Sequence, residues 1–420
     1  MIQTSFGPFA FDQTGTRLMR DSEEVPLRPQ ARRVLLVLLR HRGQPIHYDR
    51  MIAEAWEGTF VSRHTVDVTV AAVKKSLGEY AGWITHRPKV GYVLEVPSSD
   101  ELVRTGWHFS NRRTREGAER AIECFTQAAG ECPGDFRAYE GLSTCYLMLA
   151  TFGMRAPRDV YKDFLDAHTR AVDAGGLRPE LRCNRAHGLH VFEHRLSEAE
   201  AEFQQVLSEK PNYATAHVRM ALLYATLGRL DEALDIVERG SQADPLLPTL
   251  PATVVNVRVW RREFDAAIAL GRKAVELHPY LQISRANYAQ ALEFSGRLDE
   301  ALAEYQLASI MSPDLPWLRA LEGTCLAKMK RTREARAILQ QLEQVRRFEY
   351  VDAYHMAVLR QALGQHGEAF EELERAVDEN SAFLYSLNVD PKADSFRDDG
   401  RFARLRDTLS ADALGGGVGS

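Results

Sequence analysis

The segment Tyr213–Pro245, YATAHVRMALLYATLGRLDEALDIVERGSQADP, contains the pattern that decides most of the fold. Its first half places four residues on one face of a helix, namely His217, Met220, Ala221 and Tyr224. Gly228 tolerates left-handed backbone geometry and is expected to end this helix. A second helix is expected from Leu230, and it ends at Pro245 because proline cannot continue a helix. The segment therefore predicts two helices joined by a short turn.

This two-helix pattern recurs every 34 residues along the chain. Alanine occupies one position of six successive units, at Ala199, Ala233, Ala267, Ala301, Ala335 and Ala369. Proline recurs with the same step at Pro211, Pro245, Pro279 and Pro313. A 34-residue unit of two helices is the signature of the tetratricopeptide repeat (TPR). We therefore expect an all-α TPR solenoid, whose stacked units form a concave groove.

The array is expected to cover residues 98–391 with about eight helix pairs. In the unit that begins at Tyr139, about nine extra residues around Thr151–Pro157 are expected to lengthen the loop between the two helices. A capping helix is predicted within residues 392–412, from Asp394 to Leu409, because a solenoid must cover its exposed end. Residues 413–420 are expected to be a flexible tail. The groove is predicted to bind a segment of another protein, and a small-molecule pocket inside it is the alternative.

The composition fits a chain of more than one structural unit. It has 420 residues, of which 45% are hydrophobic and 26% charged. The five cysteines match neither a disulfide framework nor a CxxC zinc pair, so a cytoplasmic location is expected. The N-terminus lacks a signal-peptide pattern, and the apolar run Val34–Leu39 is too short to cross a bilayer. No membrane anchor is therefore expected.

Charge is distributed unevenly between the two parts of the chain. Residues 1–97 carry 13 Lys+Arg and 10 Asp+Glu, a net charge of +3. Because the whole chain has a net charge of −5, the remaining residues carry −8. A basic head on an acidic body is consistent with a polyanion-binding module joined to a different domain.

Residues 1–97 lack the repeat and show alternating strand and helix signals. Three strands are expected, around Phe6–Phe11, Arg17–Arg20 and Glu24–Leu27, with a turn at Gln13–Thr16 between the first two. Three helices are then expected, at Pro29–His41, Tyr48–Trp56 and Arg63–Leu77. The third helix has Ser62 as its N-cap and a buried stripe of Val66, Val70, Val73 and Leu77. A hairpin follows, with strands over 83–86 and 91–94 and Arg87–Val90 at its tip.

These elements in this order, with Trp56, the segment HTVDVTVAAVKKSLG (64–78) and the final Gly91–Leu94, resemble the OmpR/PhoB-type winged helix-turn-helix. Thr65–Val68 and Gly91–Tyr92 are the most specific parts. The spacing at Pro88 is similar to the ToxR/CadC/HilA branch, and the added TPR array resembles HilA-type regulators. The resemblance implies a bacterial transcription regulator that binds double-stranded DNA and has no receiver domain. The expected fold class is mainly α, an α+β winged helix over 1–97 followed by the TPR solenoid.

The resemblance also implies which residues contact DNA, because in this fold the third helix enters the major groove and the hairpin forms a wing. Phosphate contacts are expected from five cations, Arg63, Lys74, Lys75, Arg87 and Lys89. Base-facing positions are expected on the exposed face of the helix, at His64, Val68, Ala71 and Ala72. Valine and alanine can meet only thymine methyl groups, so T-rich half-sites are expected. The loop Glu57–Val61 corresponds to a loop that touches RNA polymerase in some relatives. Relatives also pair on repeated half-sites, which implies a homodimer on DNA.

One cluster consists of residue types that bind metals. Cys183, His187, His190 and His194 fall on one helical face and would span about 16 Å, too far for one ion. His187 and His190, with a ligand from a neighbouring helix, are the candidate pair for a metal or pH-sensing site. Ordinary interior packing is nevertheless the expected role of these histidines, and the metal or pH-sensing site is the alternative.

The sequence carries no enzyme signature and no cofactor motif, since it lacks a GxxxxGK[ST] loop, a GxSxG elbow and an HExxH helix. The chain is therefore not expected to be an enzyme. Two other functions remain open: a TPR scaffold whose winged helix contacts protein rather than DNA, and a SARP-type antibiotic regulator. The length and regularity of the array count against the second.

Overall fold

A computed structural model of the chain describes residues 5–6, 9–11, 17–20, 23–244 and 247–412. The predicted turn at Gln13–Thr16, Pro245 and the predicted tail over 413–420 lie outside the described residues. Helices make up 72% of the structure and the strands lie near the N-terminus, which confirms the mainly α class. The chain divides into two compact units, Met1–His108 with Ala121–Tyr139, and Phe109–Arg120 with Glu140–Ser420. Among the described residues, no helix has both the length and the apolar character that a membrane crossing requires.

The first unit begins with a small sheet, three helices and a hairpin. The sheet is antiparallel in the order β1-β2-β3-β4, with strands at Ser5–Phe6, Phe9–Phe11, Leu18–Arg20 and Glu23–Val25. The helices are α1 (Pro29–Arg40), α2 (Tyr48–Ala55) and α3 (Arg63–Leu77). A 3₁₀ turn over Gly78–Trp83 leads to the hairpin of β5 (Ile84–Arg87) and β6 (Gly91–Leu94).

The prediction of a single strand over Phe6–Phe11 is wrong. Two strands lie here, and Phe6 pairs with Phe9 across them. In one straight strand these two side chains would point to opposite faces of the sheet. In the observed pairing Phe6, Phe9 and Phe11 are all buried in the same core. The sequence signal for two strands is Gly7-Pro8, a common turn dipeptide.

The predicted third helix is confirmed at both ends, and so is its buried stripe. Val66, Val70, Val73 and Leu77 are each at most 1% exposed and pack into the core that α1 and the sheet share. Ser62 begins the helix as predicted, since its Oγ accepts a hydrogen bond from the Thr65 backbone N–H at 3.2 Å. Burial of this stripe fixes which face of α3 remains exposed.

The helical array follows as consecutive helix pairs. In the described residues the pairs are α4 (Ser99–Ser110) with α5 (Arg115–Glu131), α6 (Phe136–Thr151) with α7 (Pro157–Gly175), α8 (Pro179–Val191) with α9 (Leu196–Glu209), α10 (Ala214–Thr226) with α11 (Leu230–Ala243), α12 (Thr249–Trp260) with α13 (Phe264–Leu277), α14 (Gln282–Phe294) with α15 (Leu298–Met311), α16 (Pro316–Lys328) with α17 (Thr332–Val345), and α18 (Ala353–Ala362) with α19 (His366–Asp378).

Packing follows the repeat period. The six alanines spaced by 34 residues, from Ala199 to Ala369, are all 0% exposed, because the two helices of each pair approach closely there. A second position with the same spacing has a left-handed backbone in each of these six units. Its φ lies between 52° and 86° at His194, Gly228, Arg262, Gly296, Lys330 and Gly364. The turn between the helices thus has one geometry whether or not the residue is glycine.

The extra residues after Tyr139 lengthen the loop less than predicted. The loop between α6 and α7 has the five residues 152–156, against three between α10 and α11. The two helices contain most of the extra residues, with 16 residues in α6 and 19 in α7, against 13 and 14 in α10 and α11. Pro157 stands at the first turn of α7, where proline is tolerated, so it begins the helix rather than extending the loop.

The predicted helix over Asp394–Leu409 is wrong in its first part. Residues 380–397, called the C-terminal strap below, form two 3₁₀ turns at Ala382–Ser386 and Pro391–Phe396. A helix, α20, follows at Gly400–Asp412. It starts late because the Asp399 carboxylate accepts a hydrogen bond from the Arg401 backbone N–H at 2.9 Å, as an N-cap does.

The strap crosses the first helices of several pairs. Asn380 Nδ2 donates hydrogen bonds to the carbonyl oxygens of Val191 and Phe192 at the end of α8, at 3.2 and 3.0 Å. Lys392 Nζ donates to Gln290 Oε1 of α14 at 3.2 Å. Asn380 and Lys392 are only 12 residues apart in the chain, and they contact the first helices of pairs that lie three repeats apart. The strap therefore fills part of the concave groove.

Candidate nucleic-acid interface

The exposed face of α3 carries most of the residues that the sequence predicted to face bases. His64, Val68 and Ala71 are exposed, Val68 by 55%. Ala72 differs, because it is half-buried and packs against the core of the winged helix. It therefore lies at the edge of this face rather than on it.

The predicted cations lie at both ends of α3 and on the wing. Arg63 is exposed at the first residue, with its guanidinium carbon 5.3 Å from the centre of the Tyr48 ring. Lys75 is exposed in the last turn, and Lys74 beside it is half-buried. From Arg63 to Lys75 the helix rises about 18 Å. Because a major groove is about 12 Å wide, positive charges with this spacing can reach both phosphate strands that border it.

The wing carries the other two cations. Arg87 ends β5 and is exposed, but its Nη2 forms an ion pair with Glu95 Oε1 at 2.7 Å. Lys89 is exposed at the tip, with a left-handed φ of 66°. Salt screens an exposed ion pair such as Arg87–Glu95, so Arg87 can exchange this partner for a phosphate group.

Asp67 holds α3 against both neighbouring elements. Its Oδ1 accepts hydrogen bonds from the hydroxyl of Tyr48 in α2 at 2.7 Å and from the hydroxyl of Tyr92 in β6 at 2.8 Å. Burial, together with the Asp67 carboxylate, raises the pKa of both phenols, so both remain donors at neutral pH. One side chain thus fixes the position of α3 relative to α2 and to the wing.

Gly91 also helps to fix the position of the wing. Its φ is +129°, and an added Cβ would lie 2.0 Å from the carbonyl oxygen of Ile46. That close approach allows Tyr92 N–H to donate to Ile46 O at 3.1 Å, which ties the wing to the segment before α2. The sequence resemblance rests partly on Gly91 and Tyr92. The close approach of these two residues to Ile46 explains why the wing needs them at these positions.

The loop between α2 and α3 presents an apolar side chain to solvent. Phe60 is 95% exposed. The loop turns through left-handed residues, Glu57 with φ 54° and Gly58 with φ 79°. Glu57 also forms an ion pair with Arg33 of α1 at 3.2 Å. The sequence predicted a protein contact for Glu57–Val61, and the exposure of Phe60 is consistent with it.

The histidine cluster in α8 is buried. The rings of His187 and His190 are 5.9 Å apart, and both side chains are at most 4% exposed. Burial lowers the pKa of both, that of His190 to about 3, and nearby positive charge lowers them further. Within the described part of the chain, no group of three His, Cys, Asp or Glu side chains is arranged to hold a metal ion. The metal alternative for His187 and His190 therefore lacks a third ligand there.

Comparison with protein families agrees with both parts of the architecture. The sequence model of the family described as "Transcriptional regulatory protein, C terminal" matches residues 22–94. The chain therefore begins with an OmpR/PhoB-type winged helix. The tetratricopeptide repeat model matches residues 193–248, so TPR repeats follow. These matches indicate a DNA-binding transcription regulator with a protein-interaction module. The HilA branch stays a prediction. No curated protein matches the chain.

Three solved structures are similar to parts of this chain. The IFIT1 N216A monomeric mutant with m7Gppp-AAAA is 15% identical, with a TM-score of 0.51 over 79% of this chain and 84% of that chain. A tetratricopeptide repeat protein from Parabacteroides merdae is 15% identical, with a TM-score of 0.42 over 64% of this chain and 98% of that chain. A thermophilic TPR protein of Thermus thermophilus is 23% identical, with a TM-score of 0.37 over 40% of this chain and 92% of that chain. At 15% identity, the likeness to the first of these structures shows the fold alone.

Proposed function

We propose that this chain is a sequence-specific DNA-binding transcription regulator whose TPR array receives the input signal. The observation that carries this function is the exposed face of α3, with cations at both ends and a wing held rigidly beside it by Asp67. The helix lies in the major groove of double-stranded DNA and the wing contacts the backbone.

The side chains divide between affinity and specificity. Arg63, Lys75 and Lys89 are exposed and contact phosphates, with Lys74 and Arg87 as further contacts. His64, Val68 and Ala71 face the base edges, where the apolar groups favour thymine methyls.

Two further partners follow from the winged-helix resemblance. Two copies bind repeated T-rich half-sites, since one short apolar recognition face discriminates weakly. The Phe60 loop contacts RNA polymerase, as the corresponding loop does in some relatives. The exposure of Phe60 supports this role.

The decisive experiment is selection of bound duplexes from a random-sequence DNA library by the full chain at low salt. We expect T-rich half-sites in a repeated arrangement. G-rich sites would contradict the base contacts assigned to α3. Retention of no duplex at all would favour the scaffold alternative, in which the winged helix binds protein.

A matched pair of variants tests whether α3 makes the contact. Val68→Glu places a carboxylate on the exposed face, where it repels phosphate, and we expect at least about a tenfold loss of affinity. Leu277→Glu, at a 71% exposed position of α13 in the array, adds the same charge and should leave DNA affinity unchanged. Equal effects from the two changes would argue against α3 as the DNA-binding element.

A further inference from the structure

Two half-buried arginines of the helical array, Arg113 and Arg219, form no ion pair with any carboxylate of the described residues. Arg285, which is also partly buried, shows the usual arrangement, since its Nη1 lies 2.6 Å from Glu304 Oε2. Taking a guanidinium partly out of water costs free energy that an ion pair normally offsets. Arg113 and Arg219 therefore each carry a positive charge that the folded chain does not neutralise.

The position of Arg113 is fixed by its backbone rather than by its side chain. It lies in the turn between α4 and α5, with a left-handed φ of 55°. Its carbonyl oxygen accepts a hydrogen bond from Gln282 Nε2 at the start of α14, at 2.9 Å. The backbone N–H of Arg115 donates to Asp314 Oδ2 at 2.6 Å. The turn is thus held against a distant part of the array. The guanidinium carbon of Arg113 lies 5.8 Å from the centre of the Phe152 ring.

Arg219 of α10 is oriented by neutral groups on the neighbouring first helices. Its Nη1 donates to Asn184 Oδ1 of α8 at 2.7 Å and lies 3.4 Å from Cys183 Sγ. The Asn184 amide is itself fixed, because its Nδ2 donates to the hydroxyls of Ser143 and Thr144 in α6 at 3.0 and 2.9 Å. First helices line the concave side of such an array. The other N–H groups of Arg219 have no acceptor among the described residues.

The two positive charges act on each other. Burial lowers the pKa of the Arg113 guanidinium, and the nearby charge of Arg219 lowers it further. In the described part of the chain, no carboxylate counteracts these two effects on Arg113. Two like charges that are partly removed from water destabilise each other unless an anion lies close to both. A phosphate group suits this arrangement, because it is doubly charged and its oxygens match the fork of N–H donors on a guanidinium.

We propose that the TPR array binds a small molecule through a phosphate group held between Arg113 and Arg219. The two guanidiniums donate hydrogen bonds to the phosphate oxygens, and the Phe152 ring lies beside Arg113 for contact with the rest of the molecule. The ligand thereby joins the turn of the first helix pair to α10. The site itself does not depend on DNA binding. Only its consequence, that the ligand is the input signal, rests on the proposed function.

The test measures binding of inorganic phosphate to the full chain by titration calorimetry, with acetate as the singly charged comparison. We expect saturable binding of phosphate with a Kd below about 1 mM, and binding of acetate at least about tenfold weaker. Arg113→Gln and Arg219→Gln should each weaken phosphate binding at least about tenfold. Two changes that remove the same charge elsewhere should leave it unchanged. They are Arg112→Gln, at the exposed neighbouring residue, and Lys75→Gln, on the predicted DNA-binding face.

Unfolding measurements separate a ligand-binding role of Arg113 from a structural one. Without phosphate, Arg113→Gln removes the repulsion between the two guanidiniums, so the denaturant midpoint should not fall. Saturating phosphate should raise the midpoint of the wild type and leave that of Arg113→Gln almost unchanged, because only the native state with an intact site binds it. A lower midpoint of Arg113→Gln without phosphate would mean that Arg113 stabilises the fold, which contradicts an unpaired charge kept for a ligand.

Four binding results would each overturn this site. They are no saturable phosphate binding, equal affinity for phosphate and acetate, phosphate affinity that Arg113→Gln or Arg219→Gln leaves unchanged, and phosphate binding that Lys75→Gln abolishes. None of them requires DNA, so this site and the DNA-binding role are tested separately. A chain that binds phosphate through both arginines but retains no duplex would keep the site and remove only its proposed role as the input signal.

Discussion

The salt dependence of DNA binding gives a quantitative test of the five cations around α3. Each phosphate contact contributes about −0.9 to the slope of log K against log salt concentration. Five contacts give a slope of about −4.5, so raising the salt from about 50 to about 200 mM should weaken binding about 500-fold. Lys75 is exposed in the last turn of α3. Lys75→Gln removes one contact, so the slope should become shallower, about −3.6. The same rise in salt should then weaken DNA binding only about 150-fold.

Fluorescence anisotropy with a labelled selected duplex measures this slope for the full chain. The control is Lys273→Gln, which removes the same charge from an exposed position of α13 in the array and should leave the slope unchanged. A wild-type slope near zero would refute phosphate contact by these cations. An unchanged slope in Lys75→Gln would show that the last turn of α3 does not reach the backbone.

Three further substitutions test individual contacts. Glu95→Gln removes the carboxylate that pairs with Arg87 at 2.7 Å, so DNA affinity at low salt should rise about 2- to 5-fold by anisotropy, and a decrease would contradict the wing contact. Tyr92→Phe removes one of the two donors to Asp67. It should lower the free energy of unfolding by about 1–2 kcal/mol and weaken DNA binding, and a variant unchanged in both would show that this hydrogen bond does not position α3. Lys330→Gly relieves a left-handed φ of 63° and should raise the free energy of unfolding by about 0.5–1 kcal/mol, whereas a lower denaturant midpoint would contradict the strain.

Most of the fold could be predicted because its signals are local or periodic. The 34-residue spacing reports packing between neighbouring helices, and the alanines at that spacing are fully buried. The bounds of α3 follow from Ser62 as its cap, four apolar residues on one face and Gly78 at its end. The exposed residues of the candidate DNA interface follow once the buried face is known. Ala72 was misplaced because it lies at the edge between the two faces, where helical periodicity does not decide burial.

What could not be predicted depends on contacts between residues distant in the sequence. Asp67 meets Tyr92 across 25 residues, and no spacing rule relates a helix position to a wing position. The strap has no repeat period, so the sequence suggested only a cap at the end of the array. Its contact between Asn380 and Val191 joins positions 189 residues apart. Such pairings are decided by how the repeats curve, which the period alone does not specify.

Departures from the repeat nevertheless carry information about the strap. The left-handed position is glycine in alternate units, but His194 and Arg262 occupy it where the strap passes. His194 Nε2 lies within hydrogen-bonding distance of Asn380, and Arg262 holds both carboxylate oxygens of Asp394 at 2.8 and 2.9 Å. His194 and Arg262 thus have a strained left-handed backbone, and their side chains hold the strap in place. No such contact is found for Lys330 in the described residues. Arg262→Gly should therefore lower the denaturant midpoint while Lys330→Gly raises it. The same backbone strain is relieved in both, so a rise in both would mean that the Arg262 ion pair does not stabilise the strap.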